Sequence, residues 1–219
     1  MPTASSTASP SVSPGTGTRT AVTAAALVGA IASAGYLAGL FLLSGLTDAE
    51  AQRAPLTVAE SLLAGVAHLV LASTLGGLAG ATRLPRWALT FAATGCGLIA
   101  VQAWAYASLI PDLARLLPAR QFRDVADQAV LMHLLFVPMG VVCLAGFTTL
   151  AVLGWRRQTM PKGAAVLLIL AGVASLLGPF PPVGLLSGLA LAWLARSARP
   201  GPATVRSCSA ASCPGSATS

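Results

Sequence analysis

The chain alternates between long apolar runs and short polar breaks. Six runs, approximately residues 21–46, 57–81, 87–110, 126–155, 161–178 and 182–197, are free or nearly free of charged residues. A hydrocarbon layer about 30 Å thick is crossed by about 20 helical residues rising about 1.5 Å each. The pattern therefore predicts six helical spans, the last two being the shortest. Gly178-Pro179-Phe180-Pro181-Pro182 separates those two. Proline does not continue a helix and pushes its predecessor to extended geometry, so a tight turn is expected there. A single broken or re-entrant element is the alternative. Residues 1–20 are dominated by Ser, Thr, Pro, Ala and Gly, and 198–219 are similar. Neither buries enough apolar area to offset the entropy of ordering, so both read as disordered tails. The first run is too long for the apolar core of a cleaved signal and its basic flank is weak, so it is expected to be a retained span.

Composition sharpens this picture. Of 219 residues, 55% are hydrophobic and 9% charged, with a mean hydropathy of +0.78. A soluble domain carries about 25% charged residues, and a disordered chain needs low hydrophobicity. Both classes are excluded, and the expected fold is an all-α polytopic transmembrane bundle in the cell membrane. The net charge of +7 does not point to nucleic acid, because the basic residues lie singly or in pairs between apolar runs.

Their placement orients the chain instead. If the N-terminus is cytoplasmic, nine of the 13 basic residues fall inside: Arg19, Arg83, Arg86, Arg156, Arg157, Lys162, Arg196, Arg199 and Arg206. Arg53, Arg115, Arg120 and Arg123 fall outside, with all six acidic residues. The positive-inside rule selects both termini in the cytoplasm. Trp87, Trp155 and Trp193 lie beside inner basic residues, as an interfacial belt requires, and Trp104 with Tyr106 marks the outer end of the third span. Between spans three and four, Leu113, Leu116, Leu117 and Phe122 alternate with charges, predicting a short amphipathic segment on the outer surface, interrupted at Pro118. A wet loop with apolar anchors is the alternative.

Lipid tails give helices no hydrophobic reason to associate, so small residues that admit close approach matter. Gly35/Gly39, Gly76/Gly80 and Gly184/Gly188 have the four-residue spacing. They predict packing within the bundle first, and contact with a second copy or another membrane protein second. Cys96 and Cys143 lie in apolar runs and serve as small hydrophobes, whereas Cys208 and Cys213 match no complete zinc pattern.

Polar groups at bilayer depth are the candidate chemistry. Thr57 and Glu60 have the spacing of a capping box at the start of the second span. Asp124 and Asp127 suit the start of the fourth, with Arg120 and Arg123 as partners. His68, Gln102 and His133 lie about 16, 12 and 9 Å below the outer ends of their spans. Were these helices neighbours, Glu60, His68, Gln102 and His133 would line one outer-half pocket, with Pro138 able to kink the helix beneath it. Such a pocket suits a small transporter. Two histidines on separate helices would alternatively bind a b-type haem. The plainest reading is hydrogen bonding across helices in a non-catalytic bundle that acts by packing or partner binding.

Motifs for catalysis are absent: the chain has no His-Glu-x-x-His, Gly-x-Ser-x-Gly, phosphate loop with Lys or Cys-x-x-Cys. No enzyme activity, metal or cofactor is expected. From Trp155-Arg156-Arg157 through Met160-Pro161-Lys162-Gly163 to the closing hairpin, the chain resembles small bacterial six-helix integral membrane proteins of unknown function, in which a His on the fourth span, here His133, is not unusual. The resemblance implies class and localisation, not mechanism.

Overall fold

A computed structural model describes residues 14–128, 130–177 and 181–198, with side chains for 16–125, 136–177 and 182–198. These residues are almost wholly helical, and no strand occurs among them. Four helices are long and apolar enough to cross a membrane by length and composition: Thr16–Leu42, Pro55–Thr82, Arg86–Leu116 and Phe136–Arg156. The fifth and sixth apolar runs make shorter helices, Lys162–Leu177 and Pro182–Ser197.

In chain order the long elements are α1 (Pro14–Leu42), α3 (Pro55–Thr74), α5 (Arg86–Ala107), α8 (Val130–Arg156), α9 (Lys162–Ala174) and α10 (Pro181–Ser197). Short helices α2 (Asp48–Arg53), α4 (Ala79–Thr82), α6 (Leu109–Leu116) and α7 (Ala119–Gln128) connect them. Each long helix packs on the next, and α10 closes on α1, so six helices form a ring in chain order. Glycine serves every seam. A Cβ on Gly188 of α10 would stand 2.5 Å from the Ala26 carbonyl oxygen of α1, and one on Gly172 of α9 3.1 Å from Cα of Leu144 on α8. Large side chains such as Phe41, Leu69, Val101 and Val137 face outward from the ring. Small residues at the seams and bulky apolar ones facing outward are expected where the surroundings are apolar.

At one end of the ring lie Arg19, Arg83, Arg86, Arg156, Arg157, Lys162 and Arg196, with Trp87, Trp155 and Trp193 exposed beside them. Arg19 donates through Nε to the Ala195 carbonyl at 3.1 Å and through Nη2 to that of Arg196 at 3.3 Å. It thereby covers orphan carbonyls at the end of α10. This anchoring explains a correction: residues 14–20, read as tail, are the first turns of α1. Ala198, the first residue of the other expected tail, is buried and bonds through its amide to the Leu194 carbonyl at 3.0 Å; the rest of both tails, with Cys208 and Cys213, lies outside the described residues. Leu71, Leu75, Leu78, Leu89, Phe147, Leu150 and other fully buried side chains fill the bundle toward this basic end.

The opposite end is capped. The expected amphipathic segment forms two helices, α6 and α7, separated at Leu117-Pro118, and the wet-loop alternative falls. Ile110, Ala114 and Phe122 bury against Ala49 of α2, making a second small core. Arg123 pairs with Asp48 at 2.9 Å, and the side chain of Asp127, the partner expected for it, lies outside the described set. Both partners of that pair are well exposed, so its contribution is small.

The capping box also sits elsewhere than expected. It is Thr47/Glu50, at the start of α2: Glu50 Oε2 accepts from the Thr47 amide at 2.8 Å and hydroxyl at 2.7 Å, while the Glu50 amide donates to Thr47 Oγ1 at 3.4 Å. These bonds hold the Glu50 carboxyl below its ordinary pKa. Its contribution is thus complete above the ordinary value and lost as pH falls through the lowered one. Amide exchange in α2 is expected to accelerate across that acidic window. Thr47→Ala should accelerate it at neutral pH and erase most of the pH dependence.

The α9–α10 hairpin is short in space as well as in sequence. Ser175 donates through Oγ to the Gly140 carbonyl of α8 at 3.0 Å and to that of Gly172 at 2.6 Å, and Gly184 lies against Ser33 of α1. From those levels α1 climbs nine more residues to Leu42 and α8 ten to Val130, roughly 13–15 Å. The described hairpin flanks therefore stand well below the capped end.

Candidate functional site

Toward the capped end the ring is not filled. A cavity of about 180 Å³ is lined from α1 (Ser33, Tyr36), α2 (Gln52), α3 (Glu60, Ser61, His68), α5 (Gln102, Tyr106), α8 (Met139) and α10 (Gly184), with apolar residues between. Three of the four expected pocket residues, Glu60, His68 and Gln102, thus line one cavity. His133 lies on α8, six residues before Met139, and its side chain is outside the described set. α8 continues through Pro138.

Each polar group arrives for a local reason. Helix α3 begins at Pro55, one turn earlier than the Thr57/Glu60 spacing suggests, because proline suits a first helical position. Thr57 is therefore inside the helix and donates to the Ala51 carbonyl at 2.9 Å, while Glu60 is released from capping. Its carboxylate turns to α1, where Gly35 and Gly39 make room. A Cβ on Gly35 would stand 2.6 Å from Glu60 Oε1, and one on Gly39 3.5 Å from Oε2. The glycine pair read as a helix seam is also a cradle for a carboxylate. Gly184 and Gly188 likewise pack within the bundle, against α1, whereas Gly80 meets nothing within 4 Å.

His68, two turns deeper than Glu60, is 1% exposed. Its Nδ1 is 2.8 Å from the Ala64 carbonyl oxygen, which can only accept, so Nδ1 carries the proton and Nε2 presents a lone pair. That Nε2 has no partner among the described residues. Gln102, 4% exposed, leaves Nε2 unpaired, and Gln52 leaves Oε1 unpaired while its Nε2 donates weakly to the Tyr36 hydroxyl at 3.5 Å. Glu60 has no hydrogen bond or ion pair among the described residues. Buried polar atoms are nearly always paired, so three orphans around one cavity are a pointed exception.

Gln52, Tyr36, Ser33 and Ser61 are not singled out by the sequence, and Tyr106 is marked there only as the outer end of the third span. Gln52 sits in a polar break and the others belong to types common in helix seams, so depth alone did not mark them. No group of three or more His, Cys, Asp or Glu able to hold a metal occurs among the described residues. The cavity's 180 Å³ is a little more than the volume of about 150 Å³ that suits a benzene-sized guest. No family model, curated protein or solved structure matches the chain.

Proposed function

We propose that this is a multi-pass membrane protein that binds a small polar molecule in a pocket opening toward the outer side, without catalysis. The observation that carries the reading is the pair of orphaned atoms, His68 Nε2 and Gln102 Nε2, on two helices around one cavity. A structural histidine or glutamine would have spent both ends on neighbouring helices. Binding is favoured over catalysis because, among the described residues, His68 bonds only the Ala64 carbonyl, and no hydroxyl is held to it as a nucleophile. It is favoured over a transport path because the bundle is packed from Leu71 and Phe147 down to the basic end.

The proposed orientation puts the basic, Trp-ringed end in the cytoplasm, with both termini, and the capped end outside. We read the six apolar runs as four crossings plus a hairpin that enters from the inner side. No polar side chain occurs from Leu176 to Leu186, and Leu177 is 79% exposed. An apex of that kind belongs in hydrocarbon. Either count, four or six, leaves the termini together.

Single cysteines test the arrangement, in a background with Cys208 and Cys213 replaced by serine. A small membrane-impermeant thiol reagent should reach Ser61→Cys in the cavity and Gln121→Cys only from outside. It should reach Gln158→Cys only from inside and Leu177→Cys from neither. Labelling of Ser61→Cys from inside only, or from neither side, would refute the pocket reading.

A further inference from the structure

Resting on that reading of the cavity as a ligand site, we propose that its ligand is a small amino alcohol. Its ammonium would sit at Glu60, and its hydroxyl about two helical turns deeper, between His68 and Gln102.

Charge is the first argument. Among the described residues Glu60 is the only Asp or Glu lining the cavity, and no lysine or arginine among them lines it. Its carboxylate is pressed against the Gly35–Gly39 face of α1, with neither hydrogen bond nor countercharge among the described residues. Glu60 is half-buried, the sixth residue of α3, and a cation supplied by the ligand would give its carboxylate the partner it lacks. An anionic ligand would not.

The donor and acceptor balance agrees. Around the mouth the cavity offers acceptors, the Glu60 oxygens and the orphaned Gln52 Oε1, which an –NH3+ group with three donors would satisfy. Tyr36 and Tyr106 supply aromatic faces of the kind that attract ammonium groups. Deeper in, the demand changes: His68 Nε2 needs a donor and Gln102 Nε2 needs an acceptor. A hydroxyl suits either need, donating to His68 Nε2 or accepting from Gln102 Nε2. Glu60 and His68 are eight residues apart on α3, about 12 Å along the axis, and two hydrogen bonds would take up part of that length. Ala32, Ile99 and Met139 give the wall between them an apolar character suited to a short methylene chain.

The test uses three probes of similar length that share a terminal hydroxyl and differ at the other end, an ammonium, a second hydroxyl and a carboxylate: 6-aminohexan-1-ol, 1,6-hexanediol and 6-hydroxyhexanoate. Each is titrated calorimetrically into full-length protein in detergent at neutral pH. The amino alcohol is expected to bind at least tenfold more tightly than the diol, and the hydroxy acid not at all. Glu60→Gln should bring the amino alcohol down to the level of the diol, and Glu60→Asp should keep part of the preference. Equal or tighter binding of the diol or the hydroxy acid, or an amine preference unchanged in Glu60→Gln, would overturn the amino alcohol proposal. In that case, loss of binding in the cavity-filling Ala64→Phe, or in Ala103→Leu if that variant fails to fold, would leave the pocket itself standing. Absence of binding by all three, or binding that survives cavity filling, would overturn both.

Discussion

Replacing Gly188 by leucine should open the ring between its first and last helices. The first added carbon would already stand 2.5 Å from the Ala26 carbonyl oxygen, 3.0 Å from Cβ of Ala30 and 3.1 Å from its amide nitrogen. Two of these atoms are backbone and cannot rotate away, so α10 must move off α1 as a body. Overpacking of this kind costs 1–3 kcal/mol and occasionally more. With a whole leucine against a helix backbone, about 3 kcal/mol or more is expected. The displacement would also withdraw the Ala195 and Arg196 carbonyls from Arg19, so the basic end should loosen too. Thermal unfolding in detergent should show a clearly lowered midpoint and a less compact particle. Gly80→Ala is the matched control: nothing lies within 4 Å of that position, and its midpoint should be unchanged within about 0.5 kcal/mol. Similar behaviour of the two variants would mean that α1 and α10 do not share this seam.

The double variant His68→Leu, Gln102→Leu should lose binding while gaining stability, a combination that separates ligand-binding groups from structural ones. In the wild type, a ligand at a hundred times its dissociation constant adds about 2.7 kcal/mol to unfolding. In the double variant that increment should vanish. Without ligand, the variant should unfold about 1–3 kcal/mol later than the wild type, because two buried polar atoms without protein partners have become apolar. A loss of stability instead would show that both side chains are paired within the protein. The comparison needs only melting curves with and without 6-aminohexan-1-ol.

Much of the architecture is written in the one-dimensional pattern. Apolar runs of sufficient length, basic residues collected at alternate breaks and glycines at helical spacing need no contact information. Each concerns one segment meeting a uniform solvent, and bilayer thickness and helical rise convert directly into residue counts. Even the relative depths of Glu60, His68 and Gln102 follow from counting.

Other features depend on which helix stands beside which. Thr57 and Glu60 carry a capping spacing, yet the helix starts at Pro55, and the carboxylate turns to a glycine face 25 residues earlier in the chain. Nothing near Glu60 in sequence records Gly35. Gln52 looks like a loop residue until α2 folds over the ring and brings it to Tyr36. The hairpin matched a pair of spans by hydropathy, and its level became visible only through Ser175 against Gly140 and Gly184 against Ser33. Composition and periodicity thus settled helical class and the lengths of the apolar helices, since these are properties of single segments averaged over many residues. Ring closure, the level of the hairpin and the unmet partners of His68 and Gln102 came from packing between distant segments, where a few ångströms of backbone approach decide the outcome.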